Sequence, residues 1–265
     1  MKFVCFIFFA LSLLSCTSGE RQEFRRGQKA LEQGQKSLAV HHFERMLKRN
    51  PETSEALAAA RQGFRTSYYD LKDYKKAIEF LRFVILKSQD SKERIALQTQ
   101  LATIYFDHLQ DYEKSIEEFG RLTGVPLSDA DSMKVRFYLA QAYYHKNDFF
   151  QAKSELRELL QKSMSSDLRF NVLILQTNIF VSEKNWSEAI DNYQKLIRLF
   201  PEKDISENLS LNLSACYEES QDYSNAIAVL ERLREKHTDL DYINIRIKKI
   251  QQRSKNQPGA KGFRK

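Results

Sequence analysis

The chain has 265 residues, 42% of them hydrophobic and 29% charged, which is the composition of a folded chain rather than of a disordered or largely membrane-spanning one. Its 8 glycines and 4 prolines fall well below the roughly 18 and 13 that average usage gives. That argues against a turn-rich β architecture, and the absence of GxGxxG and GxxxxGKS/T excludes dinucleotide and P-loop glycine loops. The formal charge of +7 raises the question of an anionic partner, and the answer depends on where the charges lie.

The first element is an address. Met1-Lys2 is followed by an apolar run from Phe3 to Leu14, interrupted by Ser12. Twelve helical residues rise only about 18 Å against a hydrocarbon core of about 30 Å, so the run fits a secretory signal peptide rather than a membrane span. Its end, Leu13-Leu14-Ser15-Cys16, resembles a bacterial lipobox, with Leu14 where a smaller residue is usual. The resemblance implies cleavage before Cys16, acylation of Cys16 and anchoring in a membrane. Thr17, in place of aspartate, implies the outer membrane, on its periplasmic face. Cys5 then leaves with the signal and Cys16 carries lipid. Cys216 is left without a disulfide partner and reads as a small core filler.

From about residue 20 the chain repeats. The segments around Asp73-Tyr74-Lys75-Lys76-Ala77, Asp111-Tyr112-Glu113-Lys114-Ser115, Asp148-Phe149-Phe150-Gln151-Ala152, Asn185-Trp186-Ser187-Glu188-Ala189 and Asp222-Tyr223-Ser224-Asn225-Ala226 share one pattern, with a weaker first copy at Ala39. The small residues at 39, 77, 115, 152, 189 and 226 are 38, 38, 37, 37 and 37 apart, a period that signals a solenoid. Each small residue opens a helical face at i, i+4 and i+7, completed by Phe43/Met46, Leu81/Val84, Phe119/Leu122, Leu156/Leu159, Tyr193/Leu196 and Leu230/Leu233. The Asp or Asn ahead of it is an N-cap, and Pro51, Pro126 and Pro201 stop helices. A preceding helix carries Phe64/Tyr68, Leu101/Tyr105, Leu139/Tyr143, Phe180 and Leu213/Tyr217.

This order of large, small, tyrosine, turn, Asp-Tyr-x-x-Ala, Phe/Leu and Pro resembles the tetratricopeptide repeat (TPR). It covers residues 20–238 in six copies, with Gly27, Gly34, Ala39, Phe43 and Pro51 at its glycine, small, aromatic and proline positions. The usual period is 34, an extra residue falls near Leu109, and Arg65, Ala102, Ala140, Thr177 and Ser214 stand where the first helix usually has glycine. The expected fold is all-α: a TPR-like right-handed α-solenoid of about six helix-turn-helix repeats. A C-terminal capping helix from Asp239 to about Ser254 would bury Leu240, Ile243, Ile247 and Ile250. The domains expected are a signal peptide (1–15), a lipid-anchored linker (16–21), the solenoid with its cap (22–254) and a basic disordered tail (255–265).

Catalytic chemistry is sparse. His41, His42, His108, His145 and His237 form no HExxH and no zinc spacing, so they read as solvated, and no metal or cofactor is expected. Glu117-Glu118 and Glu218-Glu219 read as solvated helix faces, and the chain as a non-enzyme. A stacked helical array instead offers a concave groove. Tyr69, Phe106 and Tyr144 are expected in one row along it, with Thr66, Thr103, Gln141 and Asn178 one turn before, to hold an extended peptide or a partner helix.

The charge is concentrated at the end of the chain. Residues 246–265 hold eight cations and no acid, and the rest is close to neutral, so nucleic-acid binding is not expected. A tail bearing Lys255, Lys261, Arg264 and Lys265 could meet an anionic envelope polymer, a lipid or an acidic partner patch. A TPR lipoprotein of this size looks like the BamD type, which implies a scaffold in outer-membrane protein assembly. A pilotin-like factor for a secretin or pilus, and an envelope tether acting through the tail, are the alternatives.

Overall fold

The computed structural model describes residues 22–256, and every regular element among them is helical. In chain order these are α1 (residues 22–32), α2 (Lys36–Arg49), α3 (Ser54–Arg65), α4 (Tyr74–Lys87), α5 (Ser91–Thr103), α6 (Tyr112–Thr123), α7 (Asp129–His145), α8 (Phe149–Leu160), α9 (Ser166–Ser182), α10 (Trp186–Leu199), α11 (Leu209–Glu219), α12 (Tyr223–Arg234) and α13 (Leu240–Lys255). Odd- and even-numbered helices are the first and second members of six repeats, and α13 follows the last. The chain divides into two compact units between residues 146 and 147, α1–α7 and α8–α13. No described helix is long and apolar enough to cross a membrane.

The second helices form where the sequence caps them. Asp73, Asp111, Asp148 and Asp222 each accept a hydrogen bond at 3.1 Å from the amide three residues on, and Asp239 does the same for α13 at 2.9 Å. Gln35 and Asn185 make no such bond. The residue ahead of each cap is left-handed: Gly34, Lys72, Gln110, Asn147, Lys184 and Gln221 all have positive φ, and these positions keep the 38, 38, 37, 37, 37 period. Only the first is glycine, the residue that adopts this conformation without Cβ strain. Lys184→Gly is therefore expected to raise stability by about 0.5–1 kcal/mol, because strain is relieved while the amide keeps its bond to the Val181 carbonyl. A chemical-denaturation midpoint that does not rise would count against this.

The small-large-large faces are the core. Ala39, Ala77, Ser115, Ala152, Ala189 and Ala226 are fully buried, and all twelve large partners are buried as well. Two glycines let second-helix phenylalanines close on first helices: a Cβ at Gly27 would stand 2.4 Å from the Phe43 ring, and one at Gly63 would stand 2.5 Å from Phe80. In the second repeat the glycine against the ring is thus Gly63, whereas Arg65, expected there by spacing, is exposed.

The extra residue of the two 38-residue intervals has a specific home. The helices leading to Lys72 and Gln110 end in π-turns, Thr66–Asp70 and Ile104–His108, whereas α7, α9 and α11 have none. Pro201 opens a short 3-10 turn, Pro201–Lys203, after α10. In α13, Ile243, Ile247 and Ile250 are buried against α12, but Leu240 is 48% exposed and does not join them.

Candidate protein-binding face

The open face of the first unit lies between α5 and α7, the first helices of the third and fourth repeats. A pocket of about 570 Å³ is lined by Lys92, Ala96 and Thr99 of α5 and by Asp131, Lys134 and Val135 of α7. Asp131 is tied at its helix start, where its amide donates to the Ser128 hydroxyl oxygen and its carboxylate accepts from that hydroxyl. Arg61 of α3 fixes α5 beside it, donating through Nε and Nη2 to Glu93 at 2.7 and 2.8 Å. The hydrogen bonds from Arg61 and Ser88 hold the Glu93 carboxyl at about 2, well below its ordinary 4.5. A depressed carboxyl stabilises the folded chain fully above its unfolded value, and that stability is lost as pH falls through the folded one. The melting temperature is therefore expected to fall between pH 4.5 and about 2 by less in Glu93→Gln than in the parent chain; equal slopes would refute the assignment.

Further along the same helices the face becomes aromatic. Phe106 lies 5.5 Å from Tyr138 and 5.7 Å from His145, and Tyr138 stacks on the fully buried Phe119 at 5.1 Å. One motif recurs in successive repeats. The tyrosine that starts a second helix stacks on a histidine of the next repeat: Tyr74 on His108 at 4.0 Å and Tyr112 on His145 at 4.6 Å. The Tyr68 hydroxyl and His108 Nε2 share a hydrogen bond at 3.1 Å. Burial, and then neighbouring Tyr69 and Tyr74, push the Tyr68 hydroxyl above its ordinary value, so it stays protonated.

The row expected from sequence is only partly assembled. Tyr69 is 62% exposed and meets Tyr68 edge-on at 4.7 Å, and Tyr144 is half-buried beside His145. Counted back from the left-handed residue, Phe106 matches Tyr68 and Tyr143, while Asp107 matches Tyr69 and Tyr144. Phe106 is therefore one position out of that row and sits within the aromatic cluster. Thr66 is buried inside the first π-turn and lines no open surface. Thr103 follows Thr99 by one turn and donates its hydroxyl back to the Thr99 carbonyl at 2.9 Å. Gln141 lies on α7 between Tyr138 and His145, on the helix face that both use to reach Phe106. Asn178 belongs to the second unit, where its carbonyl accepts from Ser182. Lys255 is the last residue of α13 rather than the start of a tail. Cys16, Lys261, Arg264 and Lys265 lie outside the described residues.

Two acids expected on solvated helix faces, Glu118 and Glu218, are buried instead, and so is Glu23. Glu118 accepts from Arg82 Nη2 at 2.7 Å and Gln98 Nε2 at 2.6 Å, with Arg121 at 3.2 Å. Glu218 accepts from Arg246 at 2.9 Å and from Arg253, so two cations of the basic end are engaged in holding α13 to α11. Burial alone would raise the Glu23 carboxyl, but its hydrogen bond with His42 and the nearby Arg45 and Arg26 hold it below the ordinary value. The signals were present: Glu118 shares the buried face of Ser115 and Leu122, and Arg246 and Arg253 are two turns apart on one face. Among the described residues, no group of three or more metal-binding side chains is found. Burial, and then Glu219, push the Cys216 thiol up to about 11, which leaves it in the unreactive form.

Helix pairs with this small-large packing define a class, the helical repeat proteins that present helix faces to partners. Tetratricopeptide repeat families match residues 134–163 and 180–249 of this chain. The fold is shared with a tetratricopeptide repeat protein from Parabacteroides merdae (14% identity, TM-score 0.51, covering 90% of this chain and 88% of that one). It is also shared with PilW, described as a widely conserved type IV pilus biogenesis factor (13%, 0.53, 84% and 97%). A third likeness is to the Naa15/Naa10 structure bound to HypK-THB (13%, 0.56), where it spans 88% of this chain but only 39% of that one. No curated protein matches at the level of sequence.

Proposed function

We propose that this protein is a lipid-anchored scaffold on the periplasmic face of the bacterial outer membrane, acting in envelope assembly in the manner of the BamD type. The α5/α7 face is what supports a binding role. Thr99, Lys134 and Asp131 offer polar contacts at one end, and Phe106, Tyr138 and His145 offer ring edges at the other, which suits an extended peptide or an amphipathic helix. Nothing in the described residues assembles a nucleophile, a base and its orienting partner, and the scaffold reading needs no catalysis. The membrane anchor rests on the sequence around Cys16. Metabolic acyl labelling that is lost in Cys16→Ala supports it, and labelling that persists refutes it.

A photo-crosslinking residue placed at Thr99 tests the partner in cells. Capture of a barrel-assembly protein supports the leading reading. Capture of a secretin or pilus component supports the pilotin-like one, which is favoured by a fold match running along 97% of PilW. Capture through residues 255–265 alone would support the envelope tether.

A further inference from the structure

The second unit contains the frame of the Glu118 cluster without its acid. Relative to the small residues, Arg82 stands five after Ala77, and Glu118 and Arg121 stand three and six after Ser115. The corresponding residues in the last two repeats are Gln194, five after Ala189, and Val229 and Arg232, three and six after Ala226. The surrounding geometry is kept. Arg82 donates to the Tyr105 hydroxyl at 3.4 Å, and Gln194 donates to the Tyr217 hydroxyl at 2.7 Å. Seven residues before these tyrosines stand Gln98, which binds Glu118, and Ser210.

With valine in the acid's place, the space between α10 and α12 is open. It is a pocket of about 330 Å³ with Leu213 and Val229 at its floor and Arg198, Arg232 and Lys236 among its lining. Asp204 is the one acid among the lining residues, and both its oxygens accept hydrogen bonds from Ser210, at 2.8 and 2.9 Å. Glu231 beside the pocket is paired with Arg234 at 2.7 Å. Among the described residues, no carboxylate lies within ion-pair reach of Arg198, Arg232 or Lys236. Cations near helix C-termini complement the macrodipole, which explains their sign but not an apolar cleft built beneath them.

We propose that this pocket receives a glutamate side chain from an acidic partner peptide, which takes the place that Glu118 fills in the first unit. Its aliphatic stem lies on Leu213 and Val229, and its carboxylate accepts from Arg232. Arg232 lies in the last turn of α12 and Lys236 four residues on, in the turn that closes the helix, and alternate side chains of an extended peptide are about 6.6 Å apart, so a Glu-x-Glu segment engages both. The pocket is separate from the α5/α7 face and does not depend on it.

Fluorescence anisotropy of a labelled Ser-Glu-Ser-Glu-Ser peptide with the purified full chain tests this. Binding is expected to weaken about tenfold or more when both glutamates are replaced by glutamine, and equally in Arg232→Ala, an exposed position. Val229→Glu should also lose the peptide while keeping or raising its melting temperature, since it supplies the missing acid internally. If that variant does not fold, Arg232→Ala carries the test. Unchanged binding in Arg232→Ala, equal binding of the glutamine peptide, or full displacement by an equal concentration of glutarate would each overturn the proposal. So would an equal loss in Lys248→Ala, which marks nonspecific attraction, or in Thr99→Trp, which places the peptide on the α5/α7 face.

Discussion

Phe119→Ala is expected to destabilise the first unit by about 3–5 kcal/mol and to remove binding at the α5/α7 face together with that stability. Phe119 is fully buried with Ala102, Leu122, Val135 and Leu139, so truncation leaves a ring-sized hole between α5, α6 and α7. Tyr138 rests on the Phe119 ring, and Phe106 rests on Tyr138, so the face loses its floor. Phe119→Leu keeps most of the volume and is expected to cost clearly less. Equilibrium denaturation read together with Thr99 crosslinking separates the effects. A Phe119→Ala chain of unchanged stability would contradict the packing described here, and one that is destabilised but still crosslinks fully would show that the face is supported elsewhere.

The second large effect is expected one residue earlier. Glu118→Ala removes a carboxylate that is only 1% exposed and that answers Arg82, Arg121 and Gln98 at once. Losing a buried, multiply bonded charge costs about 1.5–3 kcal/mol. The value stays below that of a fully enclosed ion pair because Arg82 and Arg121 are 51% and 62% exposed and can turn to water, whereas Gln98 cannot. Hydrogen exchange should localise the loss to α5 and α6. Exchange that rises evenly over both units, or not at all, would contradict a local clamp. Phe119 and Glu118 are adjacent, so their effects are not expected to add.

The repeat, its buried face and its caps were legible in the sequence because each obeys a short-range rule. A small residue followed at i+4 and i+7 by large ones states the packing, and an aspartate four residues before the small one states the cap. Glu118 and Glu218 were legible only in part: the face each shares could be read, but not the partners, since Arg82 arrives from α4 and Arg246 and Arg253 from α13. The face was half legible. Phe106, Thr103 and Gln141 fall on the α5/α7 side, but the row they were expected to form with Tyr69 and Tyr144 assumed one residue count throughout. The left-handed residues show that Phe106 stands one position ahead of Tyr69 and Tyr144 in that count, and Thr66 is buried in the first π-turn.

An additional residue in an α-helix turns all that follows by about 100°, which would have carried Tyr68 and Phe106 off their side of the helix. In the second and third repeats the surplus is taken up within a single widened turn, and both rings remain in step with Tyr143. In these two modules the last turn of the first helix is therefore the place where the chain carries an extra residue without disturbing its neighbours.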